Sequence, residues 1–365
     1  MHRHTSRRWT VRHTVCRHAL PCALLGLLVA TSAFGSTPGG RGKPLKIDVV
    51  RDRLTLSLTH YPQVYLHGEI DAGAPQRFAA LVASGRIESG SDVYLNARGG
   101  DRAAAMALGR MFRARGMATH LGTPRQPKQA SIAAKTAACM DACVYAYLGG
   151  LYRWVPSGRD RIGFSSPSMQ ETRRLPDTVG YLKAMGIPAD ALDGDAWMTA
   201  ERMIASGLAN NGRMPPTATY DLSLPAPKME VRQADRKGIH RLTIQCQSGR
   251  TTVTAYDEVG VERARQIALR GGSSYFQLGD EKRLGQPRGG AQAVGNALVI
   301  RRDYPPADLV DLVSAWSFGA WVGGRSDAFR DGFSMPLQSV RAQLKVFYYT
   351  CWRAAPWPPR PKKTR

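Results

Sequence analysis

Between residues 54 and 122, short apolar strands alternate with amphipathic helices, and this alternation constrains the fold more than any other sequence feature. The predicted strands cover residues 54–58, 64–70, 92–96 and 117–122. Predicted helices begin at Pro75 and at Asp101. Strands that alternate with helices form parallel sheets with right-handed crossovers. The sequence therefore predicts an α/β domain, in which ligands bind beyond the carboxyl ends of the strands.

The first 35 residues have the layout of a secretory signal peptide. Five arginines and no acidic residue precede an apolar stretch at 19–30, and small residues follow up to Gly35. The apolar stretch is shorter than the roughly 20 residues that span a membrane. We therefore expect cleavage near Gly35, no membrane span in the mature chain, and a periplasmic or secreted location. An uncleaved anchor is the alternative, and the export route stays open.

The chain is strongly basic, with 51 Lys and Arg against 28 Asp and Glu in 365 residues. Five basic residues precede position 36, which leaves 46 against 28 and a mature net charge of +18. Such a charge favours polyanionic partners but does not define a fold, so we expect no nucleic-acid partner from charge alone. A hydrophobic fraction of 43% excludes a disordered or collagen-like chain.

Signal-peptide cleavage would leave four cysteines, Cys139, Cys143, Cys246 and Cys351. In an oxidising compartment they can pair in three ways. We favour Cys139–Cys143 and Cys246–Cys351, because the first two are close in sequence and the others lie in a separate downstream segment. No pair of histidines lies near the C-x3-C spacing to complete a zinc site, so the sequence predicts no metal and no cofactor.

Composition divides the mature chain into two parts, separated by a stretch that contains four prolines. The predicted order is a signal peptide at 1–35, a flexible start at 36–50, the α/β domain at 51–211, a Pro-rich linker at 212–228, a smaller module at 229–355 and a basic disordered tail at 356–365. Apolar alternation at 242–246 and 344–351 predicts strands in the smaller module, which we therefore expect to be α+β or β-rich.

Six short motifs occur in order within residues 50–210, with spacings typical of one family. They are Gly68-Glu69-Ile70, Asn96-Ala97-Arg98-Gly99-Gly100, Cys139-Met140-Asp141-Ala142-Cys143, Gly150-Leu151-Tyr152-Arg153, Ile162-Gly163-Phe164-Ser165 and Trp197-Met198-Thr199-Ala200-Glu201. Together they resemble the Clp protease proteolytic-subunit family, and most of all the exported bacterial ClpP-like proteins of the ClpP/crotonase superfamily. The resemblance implies a spiral of ββα units and does not extend to residues 211–365.

The resemblance also implies positions for a serine-peptidase triad. The nucleophile position, nine residues before a glycine, is Asp141, and the base position is Ser165. A carboxylate does not replace an activated serine in peptide hydrolysis, and a serine does not accept a proton as imidazole does. Asp195 matches the third position. The alternative roles are structural. Asp141 would cap the helix that it precedes, and the charge of Asp195 would interact favourably with the dipole of the helix that runs through Trp197 and Glu201.

The family's oxyanion loop corresponds to Asn96-Ala97-Arg98-Gly99-Gly100. Gly99 and Gly100 lack a Cβ, which lets backbone N–H groups approach a developing oxyanion. A tight strand-to-helix turn that requires glycine is the alternative explanation.

These observations predict an exported ClpP-like protein that is catalytically inactive as a serine peptidase and binds peptide or protein partners in the cell envelope. Two alternatives stay open. One is an active non-serine hydrolase that uses the Gly99-Gly100 loop with Asp141, and the other is a basic module that binds anionic envelope material. Because ClpP-like subunits commonly assemble into rings, the resemblance also implies a homo-oligomer.

Overall fold

A computed structural model describes residues 43–124, 136–193, 196–222, 226–247, 249–280, 282–284, 290–324 and 329–354. These residues form a mixed α/β structure with three sheets. Its strands are β1 (Lys46–Val50), β2 (Gln63–Ile70), β3 (Asp92–Gly100), β4 (Ala118–Leu121), β5 (Ala138–Met140), β6 (Tyr152–Arg153), β7 (Arg161–Gly163), β8 (Thr217–Asp221), β9 (Lys228–Ala234), β10 (Ile239–Gln247), β11 (Arg250–Glu258), β12 (Ser273–Leu278), β13 (Lys282–Arg283), β14 (Gln292–Val294), β15 (Ala297–Tyr304), β16 (Ser317–Gly323) and β17 (Arg330–Pro336).

The α-helices within this part of the chain are α1 (Arg53–Thr59), α2 (Ala74–Ala83), α3 (Arg102–Ala114), α4 (Ala142–Leu148), α5 (Pro167–Glu171), α6 (Pro176–Ala184), α7 (Ala200–Ala205), α8 (Val261–Arg270) and α9 (Arg341–Ala354). Short 3-10 helices cover Thr172–Arg174, Ala189–Leu192, Pro306–Val313 and Gln338–Val340. No helix of the described ranges is long and apolar enough to cross a membrane.

The first sheet has seven strands and is mainly parallel. β1 pairs antiparallel with β2, and β2, β3, β4 and β6 follow in parallel order. β3 changes partner along its length: residues 92–95 pair with β4, whereas Ala97 and Arg98 pair with β5. β7 then pairs with β5. This change of partner brings the carboxyl ends of β3, β5 and β7 side by side.

Close packing of α3 against the end of α4 completes the core of this sheet. Every residue of α4 is buried. Gly109 of α3 meets Gly149, which follows α4, backbone to backbone: a Cβ on Gly149 would lie 2.1 Å from the Gly109 Cα atom. Glycine is therefore required at this contact, because any side chain would separate the two helices.

Residues after 216 build two antiparallel sheets, in the strand orders β14-β15-β11-β10-β9-β8 and β13-β12-β16-β17. Their buried side chains form a hydrophobic cluster of their own, from Met229 to Cys351, separate from the cluster that runs from Leu45 to Ala209. The structure places Cys139 beside Cys143 and Cys246 beside Cys351, with Cα separations of 5.2 and 5.6 Å. Both pairs are compatible with disulfide bonds.

Polar contacts join the two hydrophobic clusters. The Tyr152 hydroxyl donates a hydrogen bond to the Asp235 carbonyl oxygen at 2.9 Å. The Arg236 guanidinium donates to Asp92 Oδ1 at 2.8 Å and lies 4.4 Å from the centre of the Tyr61 ring. Residues 235 and 236 of the second part are therefore held against the first sheet by direct polar contacts.

Two predictions near the start of the chain are wrong. Within the predicted flexible start at 36–50, residues 46–50 form β1, which is stabilised by antiparallel pairing with β2. Residues 54–58, predicted as a strand, lie in α1. Asp52 caps this helix, because its side chain accepts a hydrogen bond from the Thr55 backbone N–H at 2.9 Å, and the cap outweighs the alternating apolar pattern.

Two differences concern the second half of the chain. Residues 217–221, inside the predicted linker at 212–228, form β8 at the edge of the six-stranded sheet. Residues 344–351 were expected to be a strand and instead lie in α9, where Leu344, Phe347 and Cys351 are buried on one face. Spacings of three and four residues fit a helix. The predicted signal peptide at 1–35 and tail at 356–365 lie outside the described residues.

A buried histidine between two carboxylates stabilises the second cluster. His240 is 3% exposed, and its ring nitrogens lie 2.9 Å from Asp257 Oδ1 and 2.9 Å from Asp235 Oδ2. The ring also stacks on Phe333. Burial opposes the positive charge, but the two carboxylates outweigh this effect and raise the pKa of His240 to about 9.

We predict that Gly149→Ala lowers the free energy of unfolding by about 3 kcal/mol, because the new methyl group forces two backbones apart. The matched control is Gly180→Ala in α6, where a Cβ meets no atom within 4 Å. This change should stabilise the protein by about 0.5–1 kcal/mol through helix propensity. Urea unfolding measures both values, and equal stabilities of the two variants would contradict the close packing.

We predict that stability falls with rising pH between about 6.5 and 9. The pKa of His240 is raised from 6.5 to about 9 in the folded state. Its contribution is therefore complete below pH 6.5 and is lost as the pH passes 9. The loss should be about 3 kcal/mol. Urea unfolding across this pH range measures it, and His240→Gln should flatten the profile; an unchanged slope in that variant would exclude His240 as its source.

Candidate functional site

Three of the residues implied by the family resemblance meet at the carboxyl ends of β3, β5 and β7. Strand pairing sets Ala97 opposite Cys139, and Met140 opposite Gly163. Gly99, Asp141 and Ser165 follow these paired residues by one or two positions and therefore lie close together, although up to 66 positions separate them in sequence. This is the edge of a parallel sheet where ligands are expected to bind.

Asp141 occupies a sharp turn between β5 and α4. Its φ of 53° and ψ of −113° are values that glycine adopts and other residues rarely do. A backbone hydrogen bond from Asp141 N–H to the Gly163 carbonyl oxygen, at 2.9 Å, fixes the turn. The side chain makes no capping hydrogen bond to α4. The expectation that Asp141 caps this helix with its carboxylate is therefore wrong.

The Asp141 carboxylate instead binds Ser165 through both of its oxygens. Ser165 N–H donates to Asp141 Oδ1 at 2.7 Å, and the Ser165 hydroxyl donates to Oδ2 at 2.7 Å. Asp141 is only 7% exposed, and these two charge-assisted hydrogen bonds offset the cost of burying its charge. Ser165 is exposed, so one face of the pair is open to solvent.

The two glycines of the candidate oxyanion loop have different surroundings. A Cβ on Gly99 would lie 3.8 Å from Asp141 Oδ2, which places Gly99 beside the carboxylate. A Cβ on Gly100 would lie 2.2 Å from the Ile70 carbonyl oxygen, so glycine is required there by packing against β2. Gly99 thus belongs to the candidate site, whereas the contacts of Gly100 explain it as a structural residue.

Asp195, the third triad position, lies outside the described residues. The residues that follow it in sequence form hydrogen bonds with β7 and its continuation. Phe164 N–H donates to the Ala196 carbonyl oxygen at 2.8 Å, and Met198 N–H donates to the Ile162 carbonyl oxygen at 3.0 Å. Gly163 permits this approach, because a Cβ there would lie 2.0 Å from the Ala196 carbonyl oxygen.

The histidines of the described ranges are engaged away from this pair. His67 Nε2 lies 2.7 Å from Asp48 Oδ2. His120 stacks between Tyr94 and Trp154. His240 lies between its two carboxylates in the second cluster, and His60 is the C-cap of α1. No described group of three His, Cys, Asp or Glu side chains could hold a metal ion.

The chemistry that this pair supports differs from that of a serine peptidase. The Ser165 hydroxyl donates to a carboxylate, and carboxylates are much weaker bases than imidazole. Negative charge on Asp141 also opposes the formation of an oxyanion beside Gly99, where the peptidase reaction requires positive potential. The Asp141–Ser165 pair can form hydrogen bonds with a bound ligand, because Ser165 is exposed.

Comparisons with known proteins give limited matches. No family model matches the chain, and no curated protein matches it. Among solved structures, the similar ones include two forms of the membrane-bound stomatin-specific protease 1510-N, one in complex with a substrate peptide. Each is 15% identical, the alignments cover 37% of this chain and 69% or 65% of the protease chain, and the TM-scores are 0.27 and 0.26. We draw no functional argument from similarity at this level.

The hydrogen bonding of Asp141 to Ser165 was not predicted. One sequence signal could have revealed it. If the nucleophile and base positions of the resemblance are neighbours, an acceptor such as Asp141 at one position and a donor such as Ser165 at the other satisfy each other. The strained backbone of Asp141 has no sequence signal, because glycine is the residue ordinarily expected at such angles.

We predict that Asp141→Gly is more stable than Asp141→Ala by about 1 kcal/mol, because glycine adopts the observed φ and ψ without strain. Both variants lose the hydrogen bonds to Ser165, which should cost about 2 kcal/mol relative to wild type. Urea unfolding of the oxidised proteins measures the difference. An alanine variant as stable as the glycine variant would show that the turn is not strained.

Proposed function

We propose that this chain is an exported ClpP-like protein that retains a peptidase-like spiral of ββα units but not serine-peptidase catalysis, and that binds a peptide or protein partner in the cell envelope. The Asp141–Ser165 pair is the observation that carries the proposal. The two residues stand at the nucleophile and base positions of the resemblance, are neighbours, and satisfy each other's hydrogen bonds.

Electrostatics supports the absence of peptidase activity. A serine peptidase needs a nucleophile beside an imidazole, and the described histidines are engaged elsewhere. It also needs donors directed at an oxyanion, whereas Asp141 Oδ2 lies beside Gly99. Losing nucleophile and base together removes most of the rate enhancement, because the members of a triad act as a unit.

The location in the envelope rests on two features. The signal-peptide pattern of residues 1–35 directs export. Two cysteine pairs compatible with disulfides fit an oxidising compartment. A homo-oligomer is part of the proposal through the family resemblance.

A basic envelope-binding module is the second candidate, and one surface favours it. On the four-stranded sheet, the Arg330 guanidinium lies 3.9 Å from the centre of the Trp321 ring, and Arg283 lies 4.5 Å from that of Tyr275. Tyr275 and Trp321 are cross-strand partners. Cations stacked on aromatic rings form a surface suited to anionic or sugar-containing polymers.

We predict that the mature protein binds unfolded casein without cleaving it. Fluorescence anisotropy of labelled casein measures binding, and gel analysis with a fluorophosphonate serine probe measures cleavage and labelling. Neither cleavage nor labelling is expected, and Ser165→Ala should behave as wild type in the cleavage and labelling assay.

Two results would contradict this proposal. Casein or ester hydrolysis that disappears in Asp141→Ala would favour the active non-serine hydrolase, since the carboxylate would then be catalytic. Absence of casein binding at any tested concentration would argue against a peptide-binding role and leave the basic module as the better candidate.

A further inference from the structure

A cavity of about 1100 Å³ lies between the two hydrophobic clusters and is separate from the Asp141–Ser165 pair. Its walls come from the ends of α3 and α6, the segment after α7, β9 and the end of β17. Three arginines line it, Arg113, Arg153 and Arg213, and no acidic residue is among its lining. We propose that this arginine cavity binds a small molecule that carries a phosphate or carboxylate group and a hydroxyl group.

Arg153 brings a buried positive charge to the cavity wall. It is 5% exposed, and its guanidinium donates to the carbonyl oxygens of Leu208, Gly150 and Gly207 at 2.8, 2.9 and 3.0 Å. These three hydrogen-bond partners in the described part of the chain are backbone carbonyl oxygens and not carboxylates. Carbonyl dipoles orient the group but do not neutralise its charge.

Arg113 adds a second positive charge with the same kind of partners. Its guanidinium donates to the carbonyl oxygens of Gly149, Leu148 and Met185 at 3.2, 3.3 and 3.1 Å. Burial lowers the pKa of Arg113. Burial and the charge of Arg113 together lower the pKa of Arg153 to about 10, which still leaves Arg153 protonated at neutral pH.

A buried and a half-buried cation without an anion are unfavourable, since burial desolvates both groups and each repels the other. An oxyanion in the cavity would offset both the desolvation of the two guanidinium groups and their mutual repulsion. Arg213 is exposed at the opening and is able to contact a bound anion from the solvent side. The charge pattern of the cavity therefore selects an anionic ligand.

Gln233 indicates a second group on the ligand. It is 2% exposed, and its Nε2 donates to the Met214 carbonyl oxygen at 2.8 Å. Its Oε1 has no hydrogen-bond partner in the described part of the chain. A buried acceptor without a donor costs about 1–3 kcal/mol. A ligand hydroxyl that donates to Oε1 would remove this cost, which is why the proposed ligand carries one.

The competing explanation is that the arginines serve only to connect carbonyl groups. The two explanations differ in what Arg213 does, because its side chain is exposed and is not needed to hold the backbone together. They also differ for Gln233, whose unpaired oxygen has no role in a purely structural cavity.

The test uses the mature, disulfide-bonded chain and isothermal titration calorimetry at constant ionic strength. Citrate and glycerol 3-phosphate are the probes for the carboxylate and phosphate sources, tricarballylate is citrate without its hydroxyl, and glycerol is the neutral control. We expect saturable one-site binding of citrate or glycerol 3-phosphate and none of glycerol. Whichever anion binds more tightly identifies the source of the charge.

Two variants assign this binding to the cavity. Arg213→Gln should weaken it about tenfold, because a hydrogen bond to a charged group is lost. Arg265→Gln, which removes an equally exposed charge on α8, should leave it unchanged. Gln233→Met should abolish any preference for citrate over tricarballylate.

Two results would overturn the proposal. One is absence of saturable binding by both citrate and glycerol 3-phosphate. The other is equal weakening by Arg213→Gln and Arg265→Gln, which would mean that the anion responds only to the overall charge of the chain. Neither result bears on casein binding or cleavage, so the function proposed for the Asp141–Ser165 pair is tested independently.

Discussion

The change of partner along β3 is the constraint on which the candidate site depends. β4 pairs with the first half of β3, and β5 pairs with the second half. Only because β4 ends at Leu121 can β5 occupy the same side and bring Asp141 next to Gly99. The hydrogen bond from Asp141 N–H to Gly163 then adds β7 and Ser165. Sheet pairing alone thus assembles residues from three distant segments.

At the ends of these strands, the side chains of Asp141 and Ser165 are mutually compatible. The buried Asp141 carboxylate needs donors, and Ser165 supplies two of them, its backbone N–H and its hydroxyl. The pair keeps the strand ends close together and provides an acceptor and a donor at the positions where the family resemblance implies a nucleophile and a base. Such an arrangement maintains the fold without the charge distribution that peptide hydrolysis requires.

The sequence predicted β2, β3, β4 and the helices between them because apolar spacing and capping residues agree there. It failed at α1, where five alternating residues resemble a strand but Asp52 provides a cap, and at β1, which pairs with β2 and packs Ile47 and Val49 against the core. The neighbours of Asp141 were predicted through the family resemblance. Its backbone angles and its bonds to Ser165 depend on tertiary contacts that no local pattern encodes.

The arginine cavity could not be predicted from local sequence patterns, because its residues come from four separate segments: Arg113, Arg153, Arg213 and Gln233. Composition gave only an excess of basic residues, which is usually a solvated surface. The structure distinguishes a buried from a solvated basic residue: Arg153 is buried and donates to carbonyl groups, whereas most basic residues of the described ranges are exposed. Gln233 belongs to β9 and Arg153 to β6, so a ligand whose anionic group contacts Arg153 and whose hydroxyl contacts Gln233 would bridge the two hydrophobic clusters. Ligand binding would then stabilise the junction itself, since it favours the state in which both walls are in place.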